Sequence, residues 1–254
     1  MTSIHRDDRR PVDPAATVGP LVASLASART LGVEAVGAPA HRLALAAHLG
    51  LVVPPTAILT VAAARQLAQV GVAGPYQIPP DRSPDAATTL AEAVAYAWHT
   101  AAHGGLGHVR IRASAVDETE AITGGASRLL RDWPSFLDGL TRAAGALGSP
   151  AAGDRALVVQ AQVTPVLAGT LRPLAGGVEL RLANGRSWLL SRRGHVLPRQ
   201  APLDDRLGPA LAALARRVQH LPEVPTPDDR RSVRPPIVAW VLDRHDVAWT
   251  TTVS

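Results

Sequence analysis

The sequence predicts an α+β protein of two lobes, a helix-rich first lobe and a second lobe containing a β-meander. Three observations carry this expectation. Apolar residues recur at helical spacing in the first half, as in Gly37 to Gly50 and Asp85 to His103. In the second half, short strand-like runs separated by turn residues take over, and Asn184-Gly185 is the strongest short-range hairpin signal in the chain. At 254 residues the chain is long enough for one large domain or two lobes.

Taken in order, residues 1–20, rich in Arg, Asp and Pro, read as a flexible N-terminal segment. The first lobe is expected over 21–130. It begins with the apolar helix "GAPAHRLALAAHLG", closed by Gly50, and continues through "VVPPTAILT" as a turn and a short buried strand. Thr60 can cap a helix from Val61 to Val70, a polar loop follows over 74–84, and a helix from Asp85 to about His103 ends at Gly104-Gly105. The second lobe is expected over 131–254. Asp132 or Trp133 starts a helix through about Leu147 with Phe136, Leu137, Leu140 and Ala144 on one face. "ALVVQAQVTPVLAG" reads as one strand, 177–199 as a three-strand meander, and 205–220 as a helix striped by Leu207, Leu211, Leu214 and Val218. "PEVPTPDDRRSVRPP" reads as a linker, and 237–253 as a closing hairpin.

Composition excludes several chemistries. There is no cysteine, hence no disulfide, thiolate metal site or cysteine nucleophile. All 26 basic residues are arginine, so Schiff-base lysine catalysis and a Walker A loop are excluded. The net charge of +5 is modest and spread without interleaved aromatics, so no nucleic-acid partner is expected. The longest apolar run, Leu43 to Ala64, is broken by His48 and Pro54-Pro55, and "MTSIHRDDRR" has no signal-peptide core. We therefore expect no membrane partner and a cytoplasmic location.

The stretch "GHVRIRASAVDETE", Gly107 to Glu120, concentrates the chemistry. Read as a strand, Val109, Ile111, Ala113 and Ala115 point one way, and Arg110, Arg112 and Ser114 the other. Two guanidinium groups roughly 7 Å apart along one strand call for a negative neighbour. The residues are compatible with a bound phosphate and equally with Asp117, Glu118 or Glu120. Elsewhere the signals are weaker. His99 and His103 are four apart on a helix but lack a carboxylate companion, so a solvated or capping role is the better reading. "HGGLGH" follows a helix, which makes it a C-cap and not a phosphate loop. There is no GxSxG, and Trp133, Trp240 and Trp249 read as core filling.

Four stretches, in order, resemble the N-terminal ATP-grasp-type nucleotide-binding domain (PEP/pyruvate-binding domain) of phosphoenolpyruvate synthase, pyruvate phosphate dikinase and rifampin phosphotransferase. "VGAPAHRLALAAHLGLVVPPTAILT" is similar to the family's "GGKAANLA…AGLPVPPGFVLT". "VRIRASAVDE" resembles "VAVRSSATAED", "ALVVQAQVTPVLAGTL" resembles "VAVVVQRMV…AGVLF", and "PPIVAWVLDRHDVAWTTTV" resembles "PQDIEWALD…LYLLQARP". The resemblance implies an ATP-grasp-like fold, ATP and Mg²⁺ as cofactors, and phosphoryl transfer to a histidine on a swivelling domain, which does not fit in this chain. It assigns Arg112 as a phosphate ligand, with Arg110 and Gln160 as further nucleotide or phosphate contacts. It also places Pro39 where the family has its phosphate-binding lysine, Ala239 at the metal-binding glutamate, and Thr251 and Val253 at the closing glutamine and arginine. Glu179 lies near the family's "GLGE" acid without a firm match.

Phosphoryl transfer rests on cations and Mg²⁺ placed around the transferring group. Their replacement leads to the expectation of a pseudo-enzyme, without catalytic or metal residues, serving as a binding or scaffold subunit for a separately encoded swivelling or catalytic partner. The alternative is an active ATP-dependent phosphotransferase subunit in which arginines such as Arg42 or Arg110 stand in for the lysine and Asp117, Glu118 or Glu179 recruits Mg²⁺. A third reading is an interaction protein without a ligand.

Overall fold

A computed structural model describes residues 20–70, 87, 89–102, 108–115, 130–147, 154–197, 208–225 and 233–254. Almost all of the N-terminal segment, the 74–84 loop, His103 to Gly107, the acids Asp117, Glu118 and Glu120, and Leu207 lie outside the described residues.

The first sheet is antiparallel, in the order β1 (Val22–Ser24), β2 (Thr56–Leu59), β4 (Arg155–Ala161), β3 (Val109–Ala115). Both of its faces are covered, which explains why "ALVV", Ala156 to Val159, is a continuous apolar run and not an alternating one. Leu157 and Val159 face α4 (Val61–Val70), α5 (Leu90–Ala102) and α6 (Trp133–Leu147), where Phe136 and Leu140 are fully buried. Ala156 and Val158 face α1 (Leu25–Leu31), α2 (Val33–Val36) and α3 (Ala38–His48). The strand expected across residues 156–169 is two strands. It leaves the first sheet after Ala161, and β5 (Leu167–Leu174) resumes in the second, beyond Thr164-Pro165. α6 packs on the first sheet, and β4 lies inside it.

The second sheet is also antiparallel, in the order β11 (Ala248–Val253), β10 (Val238–Leu242), β5, β6 (Gly177–Leu182), β7 (Ser187–Ser191). The β6–β7 hairpin turns at Asn184-Gly185, where Gly185 takes a φ of 88° while Asn184 does not have positive φ, so the hairpin forms without the type I′ turn that Asn-Gly favours. The third strand of the expected meander reduces to an isolated bridge between Leu190 and Val196. Leu171, Leu180, Leu190, Val238 and Trp240 bury one face against α7 (Gly208–Val218), whose Leu211, Leu214 and Val218 form the expected stripe.

The elements over 21–36 had no sequence counterpart in the reading above. They arise from Ser24, which caps α1 through a reciprocal box with Ser27. The helix expected from Asp85 begins instead at Leu90, because Thr89 and Glu92 form a capping box. The segment read as a linker contributes a two-residue pair, β8 (Val224–Pro225) with β9 (Val233–Arg234). Among the described residues no helix is long and apolar enough to cross a membrane.

Candidate functional site

The two sheets are joined by α3 and by the outer edge of β11. α3 serves both cores: Ala40 and Ala44 pack on the first sheet, while Leu43 and Ala46 pack on the second. Its start is pressed against β3. Ser114, fully buried, accepts a hydrogen bond from the Ala40 amide through its hydroxyl (3.0 Å). Gly37, at φ 77°, passes so close that a Cβ would overlap the Ser114 carbonyl. The stretches around Pro39 and around Arg112, far apart in sequence, are therefore neighbours.

Arg110, Arg112 and Ser114 lie on the face of the first sheet that carries α1 to α3, as the strand alternation predicts. That face changes character along its length. It is apolar at Ala156 and Val158, then polar where Gln160 pairs across from Arg110 on one side and Thr56 on the other. Gln160 is buried. Its amide N–H donates to Thr56 Oγ1 (3.0 Å), and the Thr56 hydroxyl donates to the Pro54 carbonyl (2.6 Å). Gln160 Oε1 accepts from Arg112, and the same guanidinium nitrogen donates to the Thr251 carbonyl of β11 (2.7 Å). The sequence-derived residues Arg112, Arg110 and Gln160 do converge, and Arg112 and Gln160 bond directly.

β11 is an edge strand, and its exposed backbone groups are met by the first lobe. The carbonyls of Thr251 and Val253 receive Arg112 and Arg42 Nε (3.1 Å), and the Thr250 amide donates to the Val52 carbonyl (2.6 Å). This is how an unpaired edge is made safe and two lobes are held together at once. Thr251 sits at an irregularity in the β10–β11 register and donates its hydroxyl to the Ala239 carbonyl (3.2 Å).

The seam is strongly cationic. Burial first, and then the neighbouring Arg110, lowers the Arg112 pKa to about 10. Burial first, and then Arg234, lowers Arg42 to about 10 as well. Arg112 and Arg42 meet carbonyls two residues apart on β11, a separation of about 7 Å. Arg110 Nε and Arg234 Nε are both buried, and neither has a hydrogen-bond partner among the described residues. Arg234 is the member that sequence reasoning missed. Its segment was read as a linker, and an arginine in "RRSVRPP" carries no motif.

The donor set fits phosphate oxygens, which accept from guanidinium groups and would satisfy the two orphaned Nε atoms. It does not fit Mg²⁺. The side chains brought together here offer guanidinium, amide, hydroxyl and methyl groups, and no carboxylate stands among them. Glu179 lies on β6, two strands away from β10. Among the described residues no three His, Asp or Glu side chains could share a metal ion.

No protein-family model matches the chain, and no curated protein matches it. Among solved structures it is similar to D-alanyl-alanine synthetase A from Vibrio cholerae O1 biovar eltor str. N16961, at 11% identity and a TM-score of 0.43 over 85% of this chain and 53% of that one. It is similar to D-cycloserine synthetase DcsG at 16% identity and a TM-score of 0.40, over 85% of this chain and 61% of that one. It is also similar to C-terminally truncated Cdc123 from Schizosaccharomyces pombe, at 14% identity and a TM-score of 0.41 over 84% and 81%. The chain thus spans little more than half the length of the first of these proteins.

Proposed function

We propose that this chain is an ATP-grasp-type domain, similar to that of phosphoenolpyruvate synthase, which has lost its phosphoryl-transfer machinery and binds an anionic ligand in the seam between its sheets. It would do so as a binding or scaffold subunit for a separately encoded swivelling or catalytic partner. The observation that carries the reading is the pair of buried, partnerless Nε atoms of Arg110 and Arg234, set beside the half-buried guanidinium groups of Arg112 and Arg42. Such an arrangement is costly in the free protein and is relieved by an anion.

The order and proximity of the four sequence stretches support the ATP-grasp part of the reading. The first abuts the second at Ser114, the second pairs with the third along β3 and β4, and the fourth is the hairpin whose edge Arg112 reaches. Loss of transfer chemistry is argued from residue types. Pro39 provides no ammonium, Ala239 no carboxylate, and Val253 no guanidinium, so the field that stabilises a transferring phosphoryl group is gone. Arg112 keeps its phosphate-facing position in the resembled motif while holding the lobes together.

Calorimetric titration with ATP, with and without Mg²⁺, tests this. We expect saturable binding that does not depend on Mg²⁺, is abolished in Arg110→Ala, and is accompanied by no phosphate release. Metal-dependent binding with transfer of the γ-phosphoryl group to a histidine of a partner would replace this reading with that of an active phosphotransferase. Absence of binding by ATP, pyrophosphate and phosphate alike would remove the ligand from it.

A further inference from the structure

A cavity of about 470 Å³ lies at the end of the second sheet marked by the β6–β7 and β10–β11 turns. Its volume falls within the range of small-molecule sites. Leu167 and Leu242, cross-strand partners on β5 and β10, form part of its lining, and Leu182 and Trp188 continue it onto β6 and β7. Leu182, Trp188 and Leu242 belong to the core of the second sheet, so the cavity is an extension of that core towards solvent. Val166, 68% exposed, stands at the mouth.

The charges around this cavity cancel, two guanidinium groups of Arg186 and Arg244 against two carboxylates of Asp243 and Asp246. Each is also engaged within the protein. Arg186 lies over the Trp188 ring at 4.8 Å, and Arg244 Nε donates to His245 Nε2 (3.1 Å). The Asp243 carboxylate accepts from the amides of His245 (2.8 Å) and Val247 (3.0 Å) and from Trp249 Nε1 (2.8 Å). Asp246 has an interaction of its own. An ion drawn in from water would give up hydration and meet no net opposite charge. The rim also carries one uncharged polar side chain, Asn184. Its Oδ1 accepts from the Arg186 amide (3.1 Å), which leaves its N–H groups to donate to a hydroxyl or carbonyl oxygen.

We infer that this cavity binds a small uncharged molecule, its apolar body against the leucines and Trp188 and a neutral polar end at Asn184. The balanced rim selects this occupant over an anion or a cation of the same length. The site is separate from the arginine seam, so it stands whether or not the seam binds an anion.

The test is calorimetric titration of the full chain with decanol, decanoate and decylammonium as probes. Decanol is expected to bind at one site per chain, and both ions about tenfold or more weakly, because a charged end loses hydration at the mouth. Arg244→Gln leaves the rim net negative and should bring decylammonium closer to decanol. Asp246→Asn leaves it net positive and should do the same for decanoate, since asparagine tolerates the φ of 59° found there. Neither change should alter decanol binding. Val166→Trp, at an exposed position, narrows the mouth and should weaken decanol about tenfold. Leu174→Trp, at the exposed far end of β5, should leave it unchanged. No saturable decanol binding, an ion that binds the parent chain as tightly as decanol, decanol affinity that follows the rim charge, or decanol binding untouched by Val166→Trp would each overturn the assignment.

Discussion

Arg112 carries a structural role across the two sheets. Its guanidinium ties Gln160 on the central strand of the first sheet to the Thr251 carbonyl on the edge of the second. Removing it leaves two acceptors without a donor, one of them on a buried side chain, so Arg112→Ala should destabilise the chain by about 1–3 kcal/mol, read as a lower urea midpoint. Arg110 predicts the opposite sign. Its Nε has no partner and its charge bears on Arg112, so Arg110→Met should leave the ligand-free protein as stable or more stable. Equal destabilisation by the two changes would mean that both arginines serve folding alone. Asp243 gives a pH dependence. Burial alone would raise its pKa, but hydrogen bonds from Trp249, Val247 and His245, with the His245 charge, bring it below the ordinary 3.8. A carboxyl depressed in the fold contributes stability that is present above the unfolded value and is lost as pH falls through the folded one. Unfolding midpoints followed from pH 5 to pH 2 should therefore fall less steeply in Asp243→Asn than in the parent chain. Parallel profiles would show that the Asp243 hydrogen bonds contribute nothing to stability.

Among the elements, α3 does the most to position the seam, and its entry depends on one glycine. Gly37 combines a φ of 77° with contact against the Ser114 backbone, so Gly37→Ala meets both a conformational penalty of about 1–3 kcal/mol and an overlap. It should lower the melting temperature more than Gly145→Ala, where an added Cβ meets nothing within 4 Å. Legibility in the sequence follows the same division between local and long-range causes. α3, α4, α6, α7, β3 and the closing hairpin were readable because periodicity, caps and turn residues act within a few positions. The β1-to-α2 segment was not, since its Ser24–Ser27 box is short and its apolar residues are mostly alanine and valine without clear spacing. The break at Thr164-Pro165 was passed over because an apolar run names no sheet. Membership of β4 in the first sheet is decided by its pairing with Thr56–Leu59 and Val109–Ala115, at long range. At the site, the family pattern brought out Arg112, Arg110 and Gln160, but Arg112's bond to a backbone carbonyl and the contribution of Arg234 have no sequence signature.

For the molecule as a whole, the two sheets are held in register by cations at their seam, and that choice has an energetic consequence. Arg42 and Arg112 both have a pKa depressed to about 10, so each is protonated less readily in the fold than in the open chain. The sign follows from linkage. The unfolded chain binds more protons through the window above about 10, so stability rises with pH there, and at neutral pH the charged seam is carried at a cost. A bound anion acts against that cost from within, where salt screens little. Thermal unfolding at low ionic strength with increasing pyrophosphate should thus show a rising midpoint. At a ligand concentration one hundred times Kd the stabilisation is about 2.7 kcal/mol, which for a chain of this size is roughly 5–10 °C. Arg110→Met should start at an equal or higher midpoint and fail to respond, separating ligand binding from folding. If the parent chain shows no rise with phosphate, pyrophosphate or ATP, or if Arg110→Met rises equally, the seam is a clamp between lobes and the anionic ligand must be abandoned.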